Sequence, residues 1–311
     1  MAEKSETLKG VFAAVLTPLN ADLSPDVDTH AAHCRWLLKN GCDGLAVLGT
    51  TGEANSFSVS ERVAILEGLV AEGIPAATMM PGTGCCSIPD NVTLARKAVE
   101  LGASGVLMLP PFYYKEVSDD GLFAAYSETI ERVGDERLRI YLYHIPPQSQ
   151  TPISFDLIER LLKAYPNTVV GMKDSSGVFD NMAGAARRFP DLAVFTGADH
   201  LLLGLMKAGG VGCITAACNL APHWLQDLYQ GWRGENAQEL QDRVSGLRNT
   251  LASFPLVPGL RAIMARESAD ESWRRPRPPL MTLDEGRCRE LYKKLDDLGF
   301  TMPGRVLTVA Q

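Results

Sequence analysis

The chain has 311 residues, 46% hydrophobic and 22% charged, which is the composition of a globular protein with one large domain, or a large domain and an appendage. A formal net charge of -7 argues against nucleic acid or an anionic membrane surface as partner, and no apolar run approaches the roughly 20 residues of a membrane span. The seven cysteines include no C-x-x-C pair and Met1–Glu6 has no signal-peptide core, so a disulfide framework and a zinc knuckle are not expected, and a reducing cytoplasm is.

In chain order, Val11 to Thr17 is a β-rich run closed by Pro18, and residues 26–40 carry Val27, Ala31, Cys34, Leu37 and Leu38 at helical spacing before Gly41. Gly44 to Leu48 is a second apolar run, followed by Gly49-Thr50-Thr51-Gly52-Glu53. Ser58 with Glu61 three residues on reads as a capping box opening the helix of Val63, Leu66, Leu69 and Val70. A third run, Ala76 to Met80, precedes a helix from Pro89 to Leu101 that stops at Gly102. Gly105 to Leu109 and Arg139 to Ile145 are the next strands, with helices at Asp119–Val133 and, capped by Ser154, up to Tyr165. Val169 to Met172, Ala193 to Thr196 and Gly212 to Ile214 complete the strands, with helices at Asp180–Arg188 and His200–Ala208 between them.

Eight strand–helix units in about 220 residues predict a (β/α)8 TIM barrel, an α/β fold. A doubly wound open sheet is the alternative, but no G-x-G-x-x-G turn follows the first strand. Beyond it, 222–234, 236–251, 258–269 and 282–298 all read as helices. The expected division is a barrel over 1–222 and a helical C-terminal region over 223–311 packed on it.

The sixth run ends in Lys173-Asp174-Ser175-Ser176-Gly177. An amine against apolar walls is less stable as a cation and can attack a carbonyl to form a Schiff base. The other reading of this stretch is a lysine that snorkels to water. Barrels carry catalytic residues at the C-terminal ends of their strands, where Thr50, Thr51, Tyr143 and Lys173 all fall. A phenol can shuttle the amine's proton, and hydroxyl and amide donors can hold a carboxylate. His30 and His33 form an H-x-x-H without the glutamate of a metalloprotease, and His200 and His223 lack acidic or thiol partners in sequence, so no metal is expected. Gly209-Gly210 precedes the eighth run, the wrong face for a phosphate site, and Cys85 and Cys86 read as packing residues.

Gly49-Thr50-Thr51-Gly52-Glu53, Tyr141-Leu142-Tyr143-His144-Ile145-Pro146 and Gly171-Met172-Lys173-Asp174 resemble the three motifs of the dihydrodipicolinate synthase / N-acetylneuraminate lyase family, in order and spacing, over nearly the whole chain. The resemblance implies class I aldolase chemistry on pyruvate or another small 2-oxo acid, no metal or organic cofactor, and a homotetramer built as a dimer of dimers. It implies that Lys173 forms the imine, Tyr143 passes protons, and Thr50 links Tyr143 to a tyrosine of a neighbouring subunit. Tyr114 is the choice for that tyrosine, with Tyr113 as the alternative. Thr51 and the amides of the turn beginning at Gly49 would bind the carboxylate, with Ile214 also in the substrate-binding set. Gln148 stands where synthases of the family use an arginine for a second carboxylate, and a neutral amide does not replace that clamp. Gly197 and Asp199 match the segment that contacts the hydroxylated tail in sialic-acid lyases, but His200 replaces a glutamate and Ala216 a serine. The expected substrate is therefore a shorter 2-oxo-3-deoxy sugar acid or a 4-hydroxy-2-oxo acid. A dehydratase, a deaminase or 4-hydroxy-tetrahydrodipicolinate synthase on the same scaffold is the alternative, and a catalytically silent 2-oxo acid binder the reading of different class.

Overall fold

The computed structural model describes residues 7–304, so the reading of Met1–Glu6 falls outside the described residues. Seven parallel strands, β1 (Gly10–Ala14), β2 (Gly44–Ala46), β3 (Val106–Met108), β4 (Ile140–His144), β5 (Val169–Asp174), β6 (Ala193–Thr196) and β7 (Gly212–Thr215), lie in the order β2-β1-β7-β6-β5-β4-β3. They form a near-closed barrel of the (β/α)8 kind.

The expected third strand, Ala76 to Met80, is a correction. Ala76–Thr78 forms a 3-10 turn, and the pairing falls instead on residues 79–83. Met80 N and Gly82 N donate to Leu45 O and Val47 O, both at 2.8 Å, while on the other side Leu107 N reaches Pro81 O at 2.9 Å. Pro81 has no N–H to return to β3, so on that side the ladder is reduced to the single bridge Gly82–Leu107 where an eighth strand would lie.

The barrel is wrapped by α1 (Val27–Lys39), α2 (Val59–Ala71), α3 (Ile88–Leu101), α4 (Asp119–Val133), a short α5 (Pro146–Ser149) that the sequence pattern did not announce, α6 (Phe155–Ala164), α7 (Phe179–Arg188) and α8 (Leu202–Lys207). Four more helices, α9 (Pro222–Gly231), α10 (Ala237–Ala252), α11 (Leu256–Ser268) and α12 (Glu285–Asp297), form the C-terminal extension. Local chemistry sets many of these ends. Ser58 and Glu61 make the full capping box of α2, Ser118 and Ser154 cap α4 and α6, and α3 ends at Gly102 with φ 87°.

Alternation along the strands sorts side chains into two layers. Phe12, Ala14, Ala46, Met80, Leu107, Tyr141, Tyr143, Phe195 and Ile214 pack together as one cluster filling the barrel. Outward-facing residues meet the helices. On α6, Leu157, Ile158 and Leu161 are fully buried, each contributing about 1.5–3 kcal/mol. One outer cluster runs unbroken from Val11 and Leu45 to Leu247, Leu260 and Leu291, so the extension shares its core with the barrel. No described helix is long and apolar enough to cross a membrane.

Candidate active site

β4 and β5 run in register with Tyr143 beside Lys173 and His144 beside Asp174. Tyr143 and Lys173 sit near the C-terminal ends of their strands, 3% and 5% exposed. Lys173 Nζ lies 3.3 Å from Tyr143 Oη and 4.4 Å from the centre of its ring. Tyr143 Oη is in turn 3.2 Å from Thr50 Oγ1. Below this layer Gly171 leaves room for Tyr141: a Cβ there would stand 2.3 Å from the Tyr141 ring. Tyr141 and Phe195 pack edge to face on that floor, and Ile214 is buried in the same cluster.

The turn after β2 is tight. Glu53 N donates to Thr50 O at 3.1 Å and Ala54 N to Gly49 O at 3.2 Å, while Leu48 and Glu53 both take left-handed φ of 56°. Among the described residues, the N–H groups of Thr50 and Thr51 and the hydroxyl of Thr51 have no hydrogen-bond partner, which leaves three donors free on the turn that carries Thr50 to Tyr143.

The next residues on β4 and β5 turn away from the barrel interior. His144 Nδ1 accepts from Ile153 N at 3.0 Å, and burial lowers the His144 pKa against the pull of Asp174. Asp174 accepts from Ser176 N at 2.8 Å and Asn181 Nδ2 at 2.6 Å, which ties down the loop after Lys173.

Of the remaining sequence candidates, Gly197 borders the amine: a Cβ there would come 3.2 Å from Lys173 Cε and 1.9 Å from Ser175 Oγ. Asp199 is 1% exposed and turned into the protein; its Oδ1 has no partner among the described residues, and burial pushes its carboxyl up to about 6. Gln148 is exposed on α5 and, among the described residues, makes no hydrogen bond to Lys173 or Tyr143. Tyr113 and Tyr114, 74% and 68% exposed, stack edge to face at 5.4 Å on the loop after β3. Among the described residues neither hydroxyl is hydrogen-bonded to Thr50, whose Oγ1 pairs with Tyr143.

Four residues were given no role from the sequence. Ser175 stands at the mouth against Gly197, and its place two residues after the lysine was the available signal. Arg62, 3% exposed, lines a small cleft with Thr50, Asn55, Gly84 and Tyr143, and donates to Gly82 O at 2.7 Å. Glu53 forms a fully buried ion pair with Arg261 of α11; removing either partner would leave a buried charge alone, at a cost of about 3–5 kcal/mol. Nothing in the local sequence marks Arg62 or Arg261. His30 and His33 lie buried inside α1, and among the described residues no three His, Cys, Asp or Glu side chains gather as a metal site would require.

Comparisons with known proteins match nearly the whole chain. The model of the Dihydrodipicolinate synthetase family matches residues 7–298. The chain is 31% identical over 291 residues to an uncharacterized DapA-like lyase of Chloroflexus aurantiacus, covering 92% of this chain and 97% of the relative. It is similar to the crystal structure of dihydrodipicolinate synthase from Agrobacterium tumefaciens, with a TM-score of 0.88, 32% identity and coverage of 94% and 99% of the two chains. It is also similar to YagE from E. coli K12, a prophage protein of the dihydrodipicolinic acid synthase family solved in complex with pyruvate, with a TM-score of 0.86, 25% identity and coverage of 95% and 100%.

Proposed function

The chain belongs to the dihydrodipicolinate synthetase family, a group of class I lyases and aldolases, and we propose that it acts through a Schiff base between Lys173 and pyruvate or another 2-oxo acid. The observation that carries this reading is a buried amine 3.3 Å from a phenol that is itself 3.2 Å from a threonine hydroxyl, beside a turn with unused donors.

In this reading Thr51 and the N–H groups of Thr50 and Thr51 hold the carboxylate, bringing C2 against Lys173 Nζ. The neutral amine attacks C2, Tyr143 carries its proton to the carbinolamine oxygen, and water leaves. The resulting iminium accepts the electron pair released when C3–C4 breaks, as Tyr143 takes the proton of the C4 hydroxyl, or when C3 loses a proton. Protonation of the enamine and hydrolysis return the lysine. Thr50 orients the Tyr143 hydroxyl, and Ser175 and Gly197 border the distal part of the substrate, the carboxyl of Asp199 being turned into the protein.

With Gln148 neutral and exposed, the distal part is a short hydroxylated chain, as in a 2-oxo-3-deoxy sugar acid or a 4-hydroxy-2-oxo acid. Condensation is the second reading, supported by the 32% identity to a protein called dihydrodipicolinate synthase. Exposure of Tyr113 and Tyr114 supports a homo-oligomer in which Tyr114 enters the relay of a neighbouring copy. The proposed setting is cytoplasmic.

The test is borohydride reduction with pyruvate followed by intact mass and peptide mapping. An adduct on Lys173 is expected. No adduct at millimolar pyruvate would overturn the Schiff-base reading in favour of a 2-oxo acid binder.

A further inference from the structure

Glu53 closes the turn that carries Thr50 and Thr51, and both of its carboxylate oxygens are held from the C-terminal extension. Arg261 gives Nε and Nη2 to Oε1, the first at 2.8 Å, and the backbone N–H of Arg277 reaches Oε2 at 2.9 Å. The same guanidinium bonds Thr17 O at 2.7 Å and Trp273 O at 3.3 Å, so all three of its nitrogens are engaged. Thr17 closes the circuit by donating Oγ1 to Gly52 O at 2.9 Å. The pair is 0% and 1% exposed, and Glu53 is kept at a left-handed φ of 56° that few glutamates adopt.

An apolar pair of similar volume would join α11 to the barrel about as well, because desolvation offsets much of a buried ion pair's attraction. What an apolar pair lacks is direction. A fork fixed to Glu53, Thr17 O and Trp273 O holds the turn at one height, and the bonds Glu53 N to Thr50 O and Ala54 N to Gly49 O carry that height to the residues facing Tyr143.

We propose that Arg261, through Glu53, is a positioning residue for the carboxylate site: it sets Thr50 and Thr51 against Tyr143 and Lys173 without touching substrate. This rests on the Schiff-base reading above. The residue comes from the C-terminal extension, so the extension has a part in binding as well as in packing.

The test follows adduct formation on Lys173 by borohydride and intact mass as pyruvate is varied, in wild type, Arg261→Lys, Arg261→Met and the double variant Glu53→Gln/Arg261→Met, each with its thermal midpoint. A displaced turn is expected to raise half-saturating pyruvate on the order of a hundredfold in Arg261→Met and in the double variant, while the adduct at saturation reaches the wild-type extent. Arg261→Lys keeps the charge but loses the fork, and is expected to recover all but about tenfold. If Arg261→Met strands the glutamate and fails to fold, the double variant carries the test; if both fail, the lysine variant does. A folded variant with wild-type half-saturation overturns the proposal alone. Absence of adduct in wild type overturns the Schiff-base reading, and this proposal with it.

Discussion

Tyr143→Phe separates proton transfer from binding. The substitution removes one oxygen and with it the 3.3 Å contact to Lys173 Nζ and the 3.2 Å contact to Thr50 Oγ1. The ring stays, with the amine still 4.4 Å from its centre, and Thr50 is exposed enough to turn its hydroxyl to water. The fold should therefore lose only about 1–2 kcal/mol. The chemistry should lose far more, because one phenol serves both the loss of the amine proton and the departure of water. A general acid–base group of this kind is worth about 10²–10⁴ in rate, or about 3–5 kcal/mol of barrier. Rapid-quench borohydride trapping with pyruvate reads the rate of imine formation, and intact mass at long times reads its extent. The rate should fall by that factor while the extent at saturating pyruvate stays near wild type, since the Thr51 donors are untouched. Imine formation within tenfold of wild type, in a variant of normal thermal midpoint, would refute the relay.

Lys173→Arg should be inactive and give no adduct although folded, because a guanidinium stays protonated; measurable turnover would sink the assignment of Lys173. Gly171→Ala should lower the thermal midpoint by the equivalent of about 1–3 kcal/mol, since its Cβ would meet the buried Tyr141 ring at 2.3 Å. Mixing Tyr114→Phe with Lys173→Ala subunits, with exchange verified by mass, should restore activity in mixed oligomers if Tyr114 crosses between copies; failure of every mixture would point to Tyr113 or to a relay within one chain. Stability should fall in acid. Burial first, with the charges of His33 and Arg261, takes His30 from 6.5 to about 3, and burial takes His33 to about 4. Both pKa values are depressed in the fold, so above pH 6.5 they cost nothing, and as pH falls toward the folded values the unfolded chain alone takes up the protons. Between pH 7 and pH 5 this removes about 2 kcal/mol per histidine; a urea midpoint unchanged over that range would contradict it.

Local chemistry alone determined a large part of this protein. The Ser58–Glu61 capping box, the stop of α3 at Gly102 and the span of α4 depend on residues within a turn of one another, so they were legible in the sequence. The strand runs carried the barrel, and three short motifs singled out Thr50, Tyr143 and Lys173, which the tertiary structure brings within 3.3 Å of one another in sequence along the relay. The pairing of 79–83 in place of 76–80 was not legible, because it depends on where Pro81 meets β3 and its missing N–H matters only there. Asp199 matched a binding segment in sequence, yet its carboxyl is turned inward with burial pushing it up to about 6, an orientation that only packing sets. The Glu53–Arg261 pair joins residues 208 positions apart. Glu53 closes a motif that the sequence shows, but nothing local marks Arg261 or the pairing, since a buried charge is recognised only by the partner that the fold brings to it.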